Sequence, residues 1–150
     1  MRLKVVDFEI LTKNFKDYVD GFKEIESEKN GMLKEIEPIK FEMEEIIRRS
    51  NLGIIADEEG RKKDMETFRQ LQQMLMNKDY EFKVKLQKLT DELNKSIYDK
   101  LSTIIKEWAI ENSIDMVMGQ MEVVYNIDSI DATNDILDIL KSRDLFVESV

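Results

Sequence analysis

Apolar residues recur along the middle of the chain at steps of three and four, and this pattern predicts two long amphipathic helices. One set is Phe15, Phe22, Lys29, Ile36 and Met43, and the other is Tyr18, Ile25, Met32, Ile39 and Ile46. These ten positions span 31 residues, a mean step of about 3.4, close to the 3.5 of a left-handed coiled coil. A second run follows at Phe68, Leu71, Leu75, Lys78, Phe82, Leu86, Leu89, Leu93, Ile97, Leu101, Ile104 and Trp108. Its mean step is about 3.6, that of a nearly straight helix. Between the runs, Arg48-Arg49-Ser50-Asn51-Leu52-Gly53 ends one helix, and Asp57 is placed to cap the next. The stretch 20–112 therefore reads as a helical hairpin with its tip near 50–60. The apolar cluster Leu52, Ile54 and Ile55 either closes that tip or touches a client.

Two features disturb the first helix. Asn30-Gly31 is a turn-like pair, and Pro38 removes a backbone N–H and usually kinks a helix. Because the seam keeps its register through both, the helix is expected to continue with hinges at Asn30, Gly31 and Pro38. Two shorter helices broken at Asn30-Gly31 is the alternative.

The flanks change character. Leu3-Lys4-Val5-Val6 is a short β-branched run, and Asp7 can cap a helix from Phe8 that leads on into the hairpin. After Asn112, Ile114–Gly119 and Glu122–Asn126 are strand-like and separated by a tight connection, which predicts a β-hairpin. Asp131 or Thr133 then caps a short helix carrying Ile136, Leu137, Ile139 and Leu140, and the apolar tail Leu145-Phe146-Val147 remains to tuck against this base. The fold class is α+β, predominantly α. It comprises a long antiparallel helical hairpin on a small β-rich body built from residues 1–19 and 113–150. Three short strands do not make a stable sheet alone, so completing it between subunits is reasonable.

Composition narrows the chemistry. The chain has no Cys and no His, which removes disulfides, thiolate and imidazole catalysis and nearly all zinc sites. Carboxylate pairs such as Glu44/Glu45 and Asp57/Glu58 sit in helix-face or capping contexts without a pocket, so no catalytic residue, metal site or cofactor is expected and an enzyme is the weakest reading. The net charge is −9, divided as +1 over residues 1–19, −4 over 20–112 and −6 over 113–150, which disfavours nucleic acid. No apolar run approaches the length of a membrane span, so no stable membrane insertion is expected.

Some large apolar residues lie off both seams: Leu33, Phe41 and Ile47 on the first helix, and Met74, Met76, Tyr80, Val84 and Tyr98 on the second. A two-helix seam does not need them. They fit either packing against a neighbouring subunit or a wall that binds unfolded chains, to which Met in particular adapts. Leu33, Phe41, Ile47, Met74, Met76, Tyr80 and Val84 are the candidate client-binding residues.

Leu3-Lys4-Val5-Val6-Asp7 with Ile10-Leu11, and then Ile114–Met118, Val123-Val124-Tyr125-Asn126, Asp131-Ala132-Thr133 and Ile136-Leu137, resembles the terminal blocks of the Skp/OmpH-like chaperone family in order and spacing. The resemblance implies a homotrimer with a β-rich body and three helical tentacles around a cavity. It also implies an ATP-independent holdase that shelters unfolded proteins from aggregation. Oligomerisation residues on this reading are Leu3, Val5, Val6, Met116, Val117, Val123, Val124 and Tyr125. The well-known members are strongly basic and secreted, whereas this chain is acidic and begins without a leader. As written it reads as a cytoplasmic product, including that of a phage-encoded relative in its host, with the periplasm as the alternative for a chain whose leader has been removed. A structural or assembly scaffold is a second reading. A prefoldin-like chaperone is a third, ranked lower because prefoldin strands lie between the helices rather than at the chain ends.

Overall fold

The computed structural model describes residues 1–54 and 57–147. Ile55 of the expected tip cluster lies outside them. The elements are β1 (Leu3–Val6), α1 (Phe8–Asn14), α2 (Lys16–Asn51), α3 (Glu58–Glu111), β2 (Met116–Gly119) and α4 (Thr133–Ser142), with single 3-10 turns at Gln120–Glu122 and Asp128–Ile130. The fold is predominantly helical with a small strand part. It separates into two compact units, residues 1–24 with 90–150, and residues 25–89.

The first unit is built around β1. Its partner β2 runs parallel to it, with Leu3 opposite Met116 and Val6 opposite Gly119. On its other edge Val5 bridges Asp131, and the Ala132 amide donates to the Val5 carbonyl at 2.8 Å. Two C-terminal segments thus satisfy the N-terminal strand on both sides, as buried backbone requires. Asp7 ends β1 and caps α1, accepting from the amides of Glu9 and Ile10 at 3.0 and 3.2 Å. Its own amide donates to the Thr133 hydroxyl at 2.9 Å, and Thr133 in turn donates its hydroxyl and amide to Asp131 at 2.6 and 2.9 Å. This chain of bonds ties the start of α4 to the end of β1. Beneath it lies a core of Val6, Leu11, Phe15, Ile97, Leu101, Ile104, Ile105, Ala132, Ile136 and Leu140.

Two sequence expectations are corrected here. The helix from Phe8 does not run on into α2. Phe15 is extended (φ −87°, ψ 118°) and buried, and the backbone groups freed by the break are taken up by the tail. Lys16 donates to the Leu145 carbonyl at 2.8 Å, and Val147 donates to that of Asn14 at 3.0 Å. The expected β-hairpin is also absent. After β2 the chain enters the 3-10 turn, and Val123–Asn126 belongs to no strand. The edge of β1 opposite β2 is taken by Asp131 and Ala132 instead of a third strand.

The second unit is an antiparallel pairing of α2 and α3. Ile39, Ile46 and Leu71 form its buried core with Met43, Phe68 and Leu75 against them, and Met32 and Ile36 are also buried. Ion pairs join Glu28 to Lys85 (3.1 Å), Glu35 to Lys78 (3.3 Å) and Arg49 to Asp64 (3.3 Å). The steps along α2 are seven and fourteen residues, and the steps back along α3 are the same. Equal whole heptads on both helices are the mark of coiled-coil register. Pro38 lies inside α2, which continues unbroken through it and through Asn30-Gly31, so the two-helix alternative is excluded. Asp57 caps α3, accepting from the Gly60 amide at 2.8 Å.

Candidate functional site

The heptad seam uses one stripe of each helix. In the unit of residues 25–89 the stripe on α2 is Met32, Ile36, Ile39 and Ile46, with Met43 half-buried. Side chains one or two positions away cannot turn inward without leaving the helical period, so they face solvent. Leu33, Phe41, Ile47, Met74, Met76, Tyr80 and Val84 all lie in this class, between 47% and 71% exposed. Met74 borders an open groove of about 460 Å³ with Gln70, Gln73, Asn77, Lys78 and Glu81. Ile47 lines a separate groove of about 490 Å³ with Ile46, Met65 and Phe68. Ile47 and Met74 thus lie in different grooves. Met65, exposed and beside Ile47, was not singled out from the sequence, although it too falls off the Phe68–Leu71–Leu75 seam.

Charge is arranged with the same economy. Arg48 pairs with Glu45 at 2.8 Å, which holds the Glu45 carboxyl below its ordinary range. Lys78 reaches Glu35 while lying over the Phe82 ring, 5.5 Å from its centroid. Asn30, Gly31 and Pro38 are all exposed, and nothing stands within 4 Å of where a Gly31 Cβ would be.

The residues assigned to oligomerisation divide into two kinds. Val5 and Val6 are wholly buried in their own subunit, and Leu3, Val117 and Val123 are half-buried. Met116 is exposed, and Val124 (106%) and Tyr125 (79%) are open to solvent. Two further apolar residues flank them, Met121 at 95% and Ile127 at 52%. A short segment thus presents Met121, Val124, Tyr125 and Ile127 outward, held at its base by a Gln120–Asn126 side-chain bond of 3.1 Å. Nearby, Phe8 stacks on Tyr98 with ring centroids 5.6 Å apart. Among the described residues no cluster of acidic groups could hold a metal ion, and no helix is long and apolar enough to cross a membrane.

A sequence model of the family described as Outer membrane protein (OmpH-like) matches residues 2–140, taking in both terminal blocks and the two long helices. The chain belongs to the OmpH-like family. No curated protein matches the chain significantly. OmpH-like proteins are chaperones rather than enzymes, and as a family they bind unfolded clients and form trimers.

Proposed function

We propose that the protein is an ATP-independent holdase that works as a homotrimer. Unfolded chains are held by weak, multivalent apolar contacts on Leu33, Phe41, Ile47, Met74, Met76, Tyr80 and Val84. The segment Met121–Ile127 joins the subunits. The observation that carries this reading is the surplus of large exposed apolar side chains on helices whose own seam is already filled. Such a surplus on a lone monomer is an aggregation liability unless it serves binding. In a chain with 37% charged residues and a net charge of −9, like-charge repulsion keeps a loaded complex dispersed.

The test is light scattering from a chemically unfolded client diluted into buffer without nucleotide. Stoichiometric protein is expected to suppress the scattering, and replacement of Met74, Met76, Tyr80 and Val84 by Ser is expected to abolish the suppression while leaving helicity unchanged. No suppression of any client, together with recovery of one folded partner in stoichiometric amount, would favour an assembly scaffold instead.

A further inference from the structure

Between α1 and α2 nothing in the local sequence calls for a break. Asn14-Phe15-Lys16 contains neither Pro nor Gly, and the Phe15 side chain offers α2 no capping oxygen. Leu11 and Phe15 are both buried and stand one helical turn apart, as they would on one face of a continuous helix. The break is held instead by the tail that follows α4. Asp144 adopts the left-handed region (φ 56°), and the Leu145 amide donates to the Leu140 carbonyl at 2.8 Å, which ends α4 and turns the chain back. Phe146 then bridges Phe15 in the antiparallel sense, flanked by the Lys16–Leu145 and Val147–Asn14 main-chain bonds of 2.8 and 3.0 Å. Its ring is half-buried against the body core, with Lys141 Nζ 4.8 Å from the centroid. This tail lies past residue 140, where the match to the family ends.

The two backbone groups that the tail engages are ones a continuous helix would pair by itself. There the Lys16 amide would donate to the Thr12 carbonyl, and the Asn14 carbonyl would accept from Tyr18. Here the Thr12 carbonyl takes the Phe15 amide at 3.1 Å, and the Tyr18 amide goes to the Phe15 carbonyl at 3.1 Å. Both bonds are one residue short of helical register, and turning Phe15 ψ from 118° to about −42° restores them.

We propose that the tail is a strap that selects between two arrangements of the body. With the strap seated, α1 and α2 are separate; with it lifted, they run together as one helix through Phe15. The Lys16 amide and the Asn14 carbonyl are paired in either arrangement, so hydrogen bonding favours neither by much. The balance is set by the burial of Leu145 and Phe146 and by the Lys141–Phe146 contact, which exist only with the strap seated. The vacated slot does not stay open, because the helix takes back its amide and its carbonyl. The proposal concerns bonds within the body and is independent of the holdase reading.

The experiment is NMR on the full chain, read at the Phe15 Cα chemical shift, which lies on opposite sides of its random-coil value in extended and helical backbone. Val147→Pro removes the donor to Asn14 and keeps the Phe146 ring, and Phe146→Ser/Val147→Pro removes both. Val147→Ala, which retains the amide, is the control. Protection of the Ala132 amide from hydrogen exchange, through its bond to the Val5 carbonyl, reports whether the body stays folded. The natural chain and Val147→Ala are expected to show an extended Phe15. The double variant is expected to show the helical shift with Ala132 still protected, and Val147→Pro a value moved in the same direction. An extended Phe15 in both strap variants overturns the proposal, because the core alone then fixes the break. Loss of Ala132 protection in both also overturns it, because the strap then holds the body together rather than choosing between two folded forms. Where only the double variant loses protection, Val147→Pro decides: a shift toward helix supports the strap, and an unmoved shift overturns it.

Discussion

Replacing Val124 by Asp is expected to break the assembly and spare the subunit. Val124 is fully exposed in the single chain, with Tyr125 and Met121 beside it nearly as open. A surface substitution of this kind changes subunit stability by about 0.5 kcal/mol or less. In the proposed trimer the same position is covered by a neighbour. The substitution then forfeits about 1.5 kcal/mol of apolar burial and strands a carboxylate whose desolvation costs several kcal/mol. A deficit of at least about 4 kcal/mol per interface weakens association about a thousandfold. A closed ring has three such contacts and carries the change in each. Val5→Asp makes the contrast. Val5 is buried between β2 and the Asp131 segment, so a charge there unfolds the body itself, at more than about 4 kcal/mol. Sedimentation velocity over a wide concentration range, with far-UV circular dichroism on the same samples, reads both. The expected outcome is a helical monomer for Val124→Asp and a loss of structure for Val5→Asp. A natural chain that is monomeric throughout, or a Val124→Asp variant of unchanged mass, refutes the reasoning.

Two further substitution sets follow from the packing. Gly31→Ala meets nothing within 4 Å and gains helix propensity, so it is expected to raise stability by up to about 1 kcal/mol in urea unfolding. Gly21→Ala gains the same propensity, but its Cβ would press on the Leu93 Cδ1 methyl, and overpacking of about 1–3 kcal/mol cancels or reverses the gain; equal stabilisation at both sites would contradict the close approach. Leu101→Ala, wholly buried at the centre of the body core, is expected to cost about 2–5 kcal/mol in the same titration, whereas Met76→Ala on the exposed wall should cost about 0.5 kcal/mol or less.

Much of this was legible in the residues. The heptad pattern identified Ile36, Ile39, Ile46 and Leu71 as buried, and the capping chemistry of Asp7 and Asp57 marked two helix starts. What escaped were features decided by residues far along the chain. Nothing local at Phe15 announces a break, because the carbonyl that receives Lys16 belongs to Leu145. Val123–Asn126 has the composition of a strand, but composition cannot say that the free edge of β1 is claimed by Asp131 and Ala132. Phe22 has the seam period yet is 47% exposed, stacked on Tyr18 rather than enclosed. The contact there centres on its neighbour Gly21, whose missing Cβ lets Leu93 sit against the backbone. A period reports which face turns inward, not where along that face the helices come closest.

The two exposed apolar sets differ in a way that bears on their proposed roles. Met121, Val124, Tyr125 and Ile127 are close in sequence on an irregular segment, closed at its base by the Gln120–Asn126 bond and followed by the Asp131–Thr133 network. Apolar side chains gathered on one short segment suit a single complementary partner, whose binding is dominated by a few buried anchors. Leu33, Phe41, Ile47, Met74, Met76, Tyr80 and Val84 are spread over many helical turns, with Ile47 and Met74 in different grooves. Each can contribute only a weak contact, and the two Met residues adapt to whatever shape arrives. Weak contacts gain avidity when one long chain engages several at once, and they release it when the chain folds and withdraws its apolar groups. The segment proposed to fix a partner and the wall proposed to tolerate many are therefore built from the same residue types and distinguished by whether those residues are gathered on one short segment or dispersed along two helices.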